Sequence, residues 1–173
     1  MLVTISDSAR EWGLAHWEEM QQEKGRPLTH RELAGFIGEA VVKETLEERL
    51  LHVVHGPKYG IDLIVEHHHR LEVKTQVSPF PWRPSFHAWA PGWKPDAQDF
   101  LFFNYMWIHD HSVESVLVCD TLRLRGWYPE ADTHRWPVLA RGSDTPKKEH
   151  DVLTCDVLQI PDAELRPIEG FRP

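Results

Sequence analysis

The chain has 173 residues, of which 41% are hydrophobic and 27% charged, and its net charge is −8. That length fits one domain with a core large enough to stand without disulfides. The acidic balance argues against a protein that coats nucleic acid through a basic face. No apolar run reaches the roughly 18 residues that cross a bilayer, so no membrane partner is expected. The first residues, Met-Leu-Val-Thr-Ile-Ser-Asp, lack a basic start and a long apolar stretch. No signal peptide is therefore expected, and a cytoplasmic location is. Cys119 and Cys155 lie in apolar, strand-like segments and read as buried free thiols, with pairing left open. Twelve histidines are scattered without zinc-finger spacing.

In chain order, residues 6–23 read as a helix. Ser8 with Glu11 forms a capping-box pattern, and Trp12, Ala15, His16 and Met20 recur at helical spacing. Gly25, Arg26 and Pro27 end it. A second helix starts at Thr29, with Glu32 three residues on, and runs to about Leu50. Its apolar face carries Leu33, Phe36, Ile37, Ala40, Val41 and Leu51, with Glu39 near the edge of the stripe. A turn follows at Gly56-Pro57. Residues 59–66 and 71–77 then read as two strands of a β-hairpin joined through His67–Arg70.

Residues 78–99 interleave Pro79, Pro81, Pro84, Pro91 and Pro95 with Phe80, Trp82, Phe86, Trp89 and Trp93. They read as a long, stiff, aromatic loop of functional length. Residues 100–108 and 113–120 read as strands, and 123–128 as a third strand or a short helix. Residues 129–151 are polar and turn-rich. Residues 152–160 read as a late strand, and 161–168 as a closing turn or helix. No repeat and no domain boundary is visible. The expectation is a single α/β (mixed α+β) domain on one sheet: helices over about 6–50, a hairpin at 59–77, the loop 78–99 and further strands to 173.

The chemistry concentrates on the hairpin. Glu72, Lys74 and Gln76 are two apart, so on a strand they share a face, while Leu71 and Val73 point to the other. Asp62, inside an apolar run, can face Glu72 from the preceding strand. A buried acid needs a partner or a bound ion. Magnesium takes hard oxygen ligands, often one or two carboxylates with water and phosphate. It stabilises charge on a reacting phosphate and acidifies bound water. Asp62 and Glu72 are the expected ligands for Mg2+ or Mn2+, with the Val73 backbone carbonyl as a third. Lys74 would activate water or balance charge. Gln76 would hold a phosphate or a water, and Gly60 lets the backbone come close before Asp62.

Asp62, a nine-residue gap and Glu72-Val73-Lys74 resemble the PD-(D/E)XK nuclease superfamily, whose fold is restriction-endonuclease-like. Gln76 is similar to the E-V-K-x-Q form of its resolvase-like and phage-type branches. Ile61 stands where the motif's name has proline. Gly35-Phe36-Ile37-Gly38-Glu39-Ala40 resembles the helix that precedes the motif, and by that resemblance Glu39 is an ancillary metal or water ligand. Residues 160–167 are loosely like the closing elements of some members. The resemblance covers Gly35 to Gln76 and implies a central mixed sheet flanked by helices. It also implies a metal-dependent deoxyribonuclease, an endonuclease acting on DNA, of bacterial or phage type. Many such nucleases pair to cut both strands, so a homodimer is part of the expectation.

Each of these residues has a plainer reading. Glu72, Lys74 and Gln76 also fit a solvated strand face, and Glu39 a helix-surface acid. The competing functional class is a nuclease-fold module without catalysis, binding nucleic acid or a protein partner. His67, His68 and His69 point in different directions at a hairpin tip, and a zinc protein needs convergent imidazoles that this spacing does not supply. In the aromatic loop, Trp82 and Trp89 are candidates for base stacking, and Arg83 and Lys94 for phosphate contact. Arg123, Arg125, Arg135, Arg141, Lys147 and Lys148 are weaker candidates for that contact.

Overall fold

In this computed structural model the described residues are 1–57, 60–80, 85–89, 99–129, 138–139 and 157–173; for 85–89, 138–139 and 157–160 the description is of the backbone alone. Helix α1 spans Asp7–Lys24 and α2 spans His30–Glu47. The Ser8–Glu11 capping box expected for α1 does not form. Ser6 is the cap, its hydroxyl accepting from the Ala9 N–H at 3.0 Å. The Ser6 and Ser8 hydroxyls each donate to the Glu44 carboxylate at 2.6 Å. The start of α1 is thus tied to α2, which outweighs a local box. Gly25, at φ 60°, closes α1 in the left-handed conformation that favours glycine. The Thr29–Glu32 box of α2 forms as expected. The helix stops at Glu47, and Leu51 lies beyond it, still packed on the core.

The main sheet has six strands: β1 (Leu2–Thr4), β2 (Val53–His55), β3 (Leu63–Val65), β4 (His69–Ser78), β6 (Phe100–Trp107) and β7 (Thr121–Pro129). Their order is β1-β7-β6-β4-β3-β2. Only β4 and β6 run parallel, in register from Leu71 opposite Phe100 to Ser78 opposite Trp107. The expected hairpin is the β3–β4 pair, with Leu63 opposite Leu71 and Val65 opposite His69. Its tip holds Glu66 and His67 at φ 49° and 69°. The structure bears out the mixed α/β class.

Three further expectations fail: the strand at 113–120, the plain loop at 78–99 and the single sheet. Residues 113–120 are not a strand: Val113–Leu117 form a short helix, α3, capped by the Ser112 hydroxyl, which accepts from the Ser115 N–H at 3.0 Å. The Ser115 hydroxyl in turn donates to Asp110 at 2.7 Å. These caps override the β-preference of the valines. Residues 78–99 are not simply a loop, because Ser85–Trp89 form β5. Its prolines flank the strand rather than interrupt it. It pairs with β9 (Val157–Pro161), which also pairs with β8 (Val138–Leu139), giving a second, three-stranded sheet. The chain closes with two single 3-10 turns, Asp162–Glu164 and Ile168–Gly170. Strands β1 and β2, three residues each, carry no pattern long enough to read from sequence.

The core lies between the sheet and the helices. Helix α2 packs on β4, while α1 and α3 pack on α2. Leu33, Ile37, Val41 and Leu46 of α2 are buried with Leu63, Leu71, Phe102, Met106 and Leu122 of the sheet. A Cβ on Gly38 would stand 2.0 Å from the Thr75 hydroxyl oxygen, so the helix backbone there rests directly on the Thr75 side chain. That contact assigns the faces of β4. Thr75 looks at α2, so by alternation Glu72, Lys74 and Gln76 look to the opposite side, beside Leu101, Phe103 and Tyr105 of β6.

Candidate active site

The β3–β4 ladder ends at Leu63 opposite Leu71. One residue earlier, Asp62 continues the register towards Glu72, but with its side chain. Its Oδ2 accepts the Val73 N–H at 2.7 Å. A carboxylate has taken the place of a strand partner, which is why β3 is shorter than the expected 59–66 strand. Within an extended strand the N–H and C=O of one residue point to the same edge. The Val73 carbonyl is therefore directed to the side from which Asp62 approaches, where the sequence reading wants a third oxygen ligand.

Glu72 and Lys74 share the next face of β4, and the Lys74 ammonium donates to Glu72 Oε1. Glu39 enters from α2, one residue after the close Gly38–Thr75 contact. Burial, and then the neighbouring Glu72 charge, push the Glu39 carboxyl up to about 8. The Asp62 carboxyl is likewise pushed up to about 8 by burial, then by Glu72 and Glu39. The Val73 N–H and Lys74 pull it back only in part. Glu39, Asp62, Glu72 and Lys74, four of the expected residues, thus lie within electrostatic reach of one another.

Sequence reasoning missed His55 on β2. Its Nδ1 lies 2.7 Å from Glu39 Oε1, a distance typical of an ion pair. Burial, with Lys43 next, pushes the imidazole down to about 4. The contact is a hydrogen bond between the Glu39 carboxyl and the His55 ring, its donor set by the tautomer. Trp12 of α1 stacks on the far side of His55, with centroids 3.8 Å apart, and His16 stacks on Trp12 at 5.1 Å. No local spacing signals this pair, because residues 39 and 55 meet only through the fold.

Gln76 sits further along the same face, but its amide oxygen accepts from Arg125 at 3.3 Å. Arg125 is a correction to its reading as a surface phosphate contact. Its side chain is 0% exposed and is held by Asp162, with Nε 2.8 Å from Oδ1. Among the other named candidates, Trp82, Arg83, Lys94, Arg135, Arg141, Lys147 and Lys148 lie outside the described residues, as does the Trp89 side chain on β5. His67 and His68 sit at the hairpin tip. His109 is exposed, and His111 lies 5.2 Å from His30, ring to ring. Cys119 is a free thiol, its Sγ 3.2 Å from the Trp107 and Thr121 carbonyls.

As a donor set, Asp62, Glu72, Glu39 and the Val73 carbonyl are hard oxygens of the kind magnesium and manganese prefer. Mutual repulsion among the acids is what a divalent cation relieves. Among the described residues, however, no group of three or more His, Cys, Asp and Glu is gathered closely enough to hold a metal ion. The chemistry of the donors fits a cation, and closing them on one requires side-chain adjustment. No helix among the described residues is long and apolar enough to cross a membrane. Comparison with family models, with curated proteins and with solved structures finds no match to this chain.

Proposed function

We propose that the chain is a metal-dependent nuclease of restriction-endonuclease-like fold that hydrolyses DNA phosphodiester bonds. The observation that carries this reading is Asp62. A mostly buried acid, bonded to the backbone beside Glu72-Val73-Lys74 and repelled by two further carboxylates, lacks a counter-charge that Lys74 alone does not supply. Asp62 and Glu72, with the Val73 carbonyl and Glu39 in support, would hold Mg2+ or Mn2+. When bound, that ion supplies charge stabilisation at the reacting phosphate. Lys74 orients the attacking water and balances charge near it. Lys74 donates to Glu72, so a cation held by Glu72 would leave the ammonium available to a water or a phosphate. Glu39, hydrogen-bonded to His55, is placed to hold or pass a proton at its carboxyl oxygen. The apolar neighbours Leu101 and Phe103 on the same face keep water sparse and strengthen these interactions.

One set of observations favours a second reading, a non-catalytic module of the same fold. Every acid of the cluster already has a protein partner: Asp62 the Val73 N–H, Glu72 the Lys74 ammonium, Glu39 the His55 ring. Cleavage of supercoiled plasmid in manganese separates the two. The wild-type protein should nick the plasmid, while Asp62→Ala and Lys74→Ala should lose on the order of 100-fold or more in rate with melting still cooperative. Either variant cutting at the wild-type rate defeats the nuclease reading.

A further inference from the structure

A second polar cluster lies at the other end of the strand that carries Glu72 and Lys74. Strand β7 is irregular where it passes β6: the register steps from Phe103 opposite Gly126 to Asn104 opposite Leu124, leaving Arg125 as the extra residue. This bulge re-aims the Arg125 side chain. Its guanidinium, fully buried, reaches Asp162 in the first 3-10 turn and Gln76 on β4. A guanidinium has donors only, so the Gln76 atom facing it must be the carbonyl oxygen. The amide is planar, so fixing its oxygen on Arg125 turns the NH2 group to the other branch. Gln76 shares a face with Lys74, two residues away.

We propose that Arg125, braced by Asp162, is a positioning residue that fixes the Gln76 amide as a hydrogen-bond donor to a phosphate oxygen of bound DNA. This rests on the nuclease reading and sharpens it. Gln76 had two candidate roles there, holding water or holding phosphate, and with its oxygen turned to Arg125 the NH2 group is what it presents to the other side. What remains is a donor pair beside an ammonium, which suits an anion. Asp162 neutralises Arg125 and holds it in place, so the guanidinium serves orientation rather than direct contact.

The test measures binding of a short labelled DNA duplex in calcium, and KM for its cleavage in manganese. Gln76→Glu keeps an acceptor for Arg125 but loses the donor. It should keep the melting temperature while weakening binding about ten- to a hundredfold, the range for a hydrogen bond to a charged group, and KM should rise in step. Arg125→Lys keeps a cation for Asp162 but loses the planar fork. It should weaken binding in the wild-type background and add nothing in the Gln76→Glu background. Unchanged binding by Gln76→Glu, or an Arg125→Lys effect of equal size in both backgrounds, overturns the proposal. A wild-type protein that binds the duplex without cutting it defeats the nuclease reading alone, since the Gln76 comparison is then read on binding. A wild-type protein that does not bind the duplex overturns both.

Discussion

Two charged clusters share strand β4, and they are built on opposite principles. At the far end Arg125 meets Asp162 and the neutral Gln76, so cation and anion balance. At the near end Asp62, Glu72 and Glu39 crowd against Lys74, and two of the three carboxyls are pushed to about 8. Both clusters are largely buried, so burial does not distinguish them. Balance does. A balanced buried pair holds segments together and asks for nothing more. An unbalanced one stores repulsion that either protons or a cation must relieve. The first kind of cluster joins β4, β7 and the 3-10 turn after β9, and the second carries repulsion that protons or a bound cation would relieve.

The comparison breaks most visibly at Arg125. Arg125→Met leaves the mostly buried Asp162 without its cation and should cost about 3–5 kcal/mol in denaturant unfolding. Adding Asp162→Leu should recover most of that loss, because the brace is a pair and not a lone charge. A small loss in the single variant would mean that the pair holds nothing.

The acidic cluster should behave in the reverse sense. An acid whose folded pKa lies above its unfolded value gains a proton on folding between the two, so stability falls as pH rises through that window. For Glu39 the window runs from 4.5 to about 8, and for Asp62 from 3.8 to about 8. His55 acts oppositely: its pKa drops from 6.5 to about 4, so its contribution to stability rises with pH over that interval. Between pH 6.5 and 8 the carboxyls act alone, and the chelator-treated protein should lose melting temperature. Asp62→Asn keeps an oxygen for the Val73 N–H and removes the repelled charge. At pH 8 it should be more stable than wild type by roughly 1–3 kcal/mol, with a flatter slope. Manganese should raise the wild-type melting temperature and leave Asp62→Asn unmoved. A wild-type curve that rises from pH 6.5 to 8 would contradict the whole account of this cluster.

The smallest effect is a control. Gly35 lies inside α2 with open space where a Cβ would go. Gly35→Ala should stabilise the protein by about 0.5–1 kcal/mol through helix propensity, without altering the pH slope or the response to manganese.

Much of the acidic cluster was legible because it is local. Asp62, Glu72 and Lys74 sit on a hairpin whose two strands alternate and whose connection is short, so the residues that matter are neighbours by construction. The capping box of Thr29 and Glu32 was readable for the same reason. His55 and Arg125 were not, because their partners lie 16 and 37 residues away and depend on tertiary packing. The balanced cluster needed a bulge in β7, and a bulge is a product of pairing rather than of composition. Ser85–Trp89 was hidden among prolines and aromatics that looked like one loop. At Val113 the apolar, β-branched run was a true signal that lost to the serine caps around it.

The seam between Gly38 and Thr75 has a consequence for engineering. The helix that delivers Glu39 rests on the strand through a missing methyl group, so any larger residue at 38 acts as a wedge. It would tilt the lever on which Glu39 rides without touching a charge. Position 38 is thus a remote dial: one carbon atom added at this seam should shift Glu39 relative to Asp62 and Glu72.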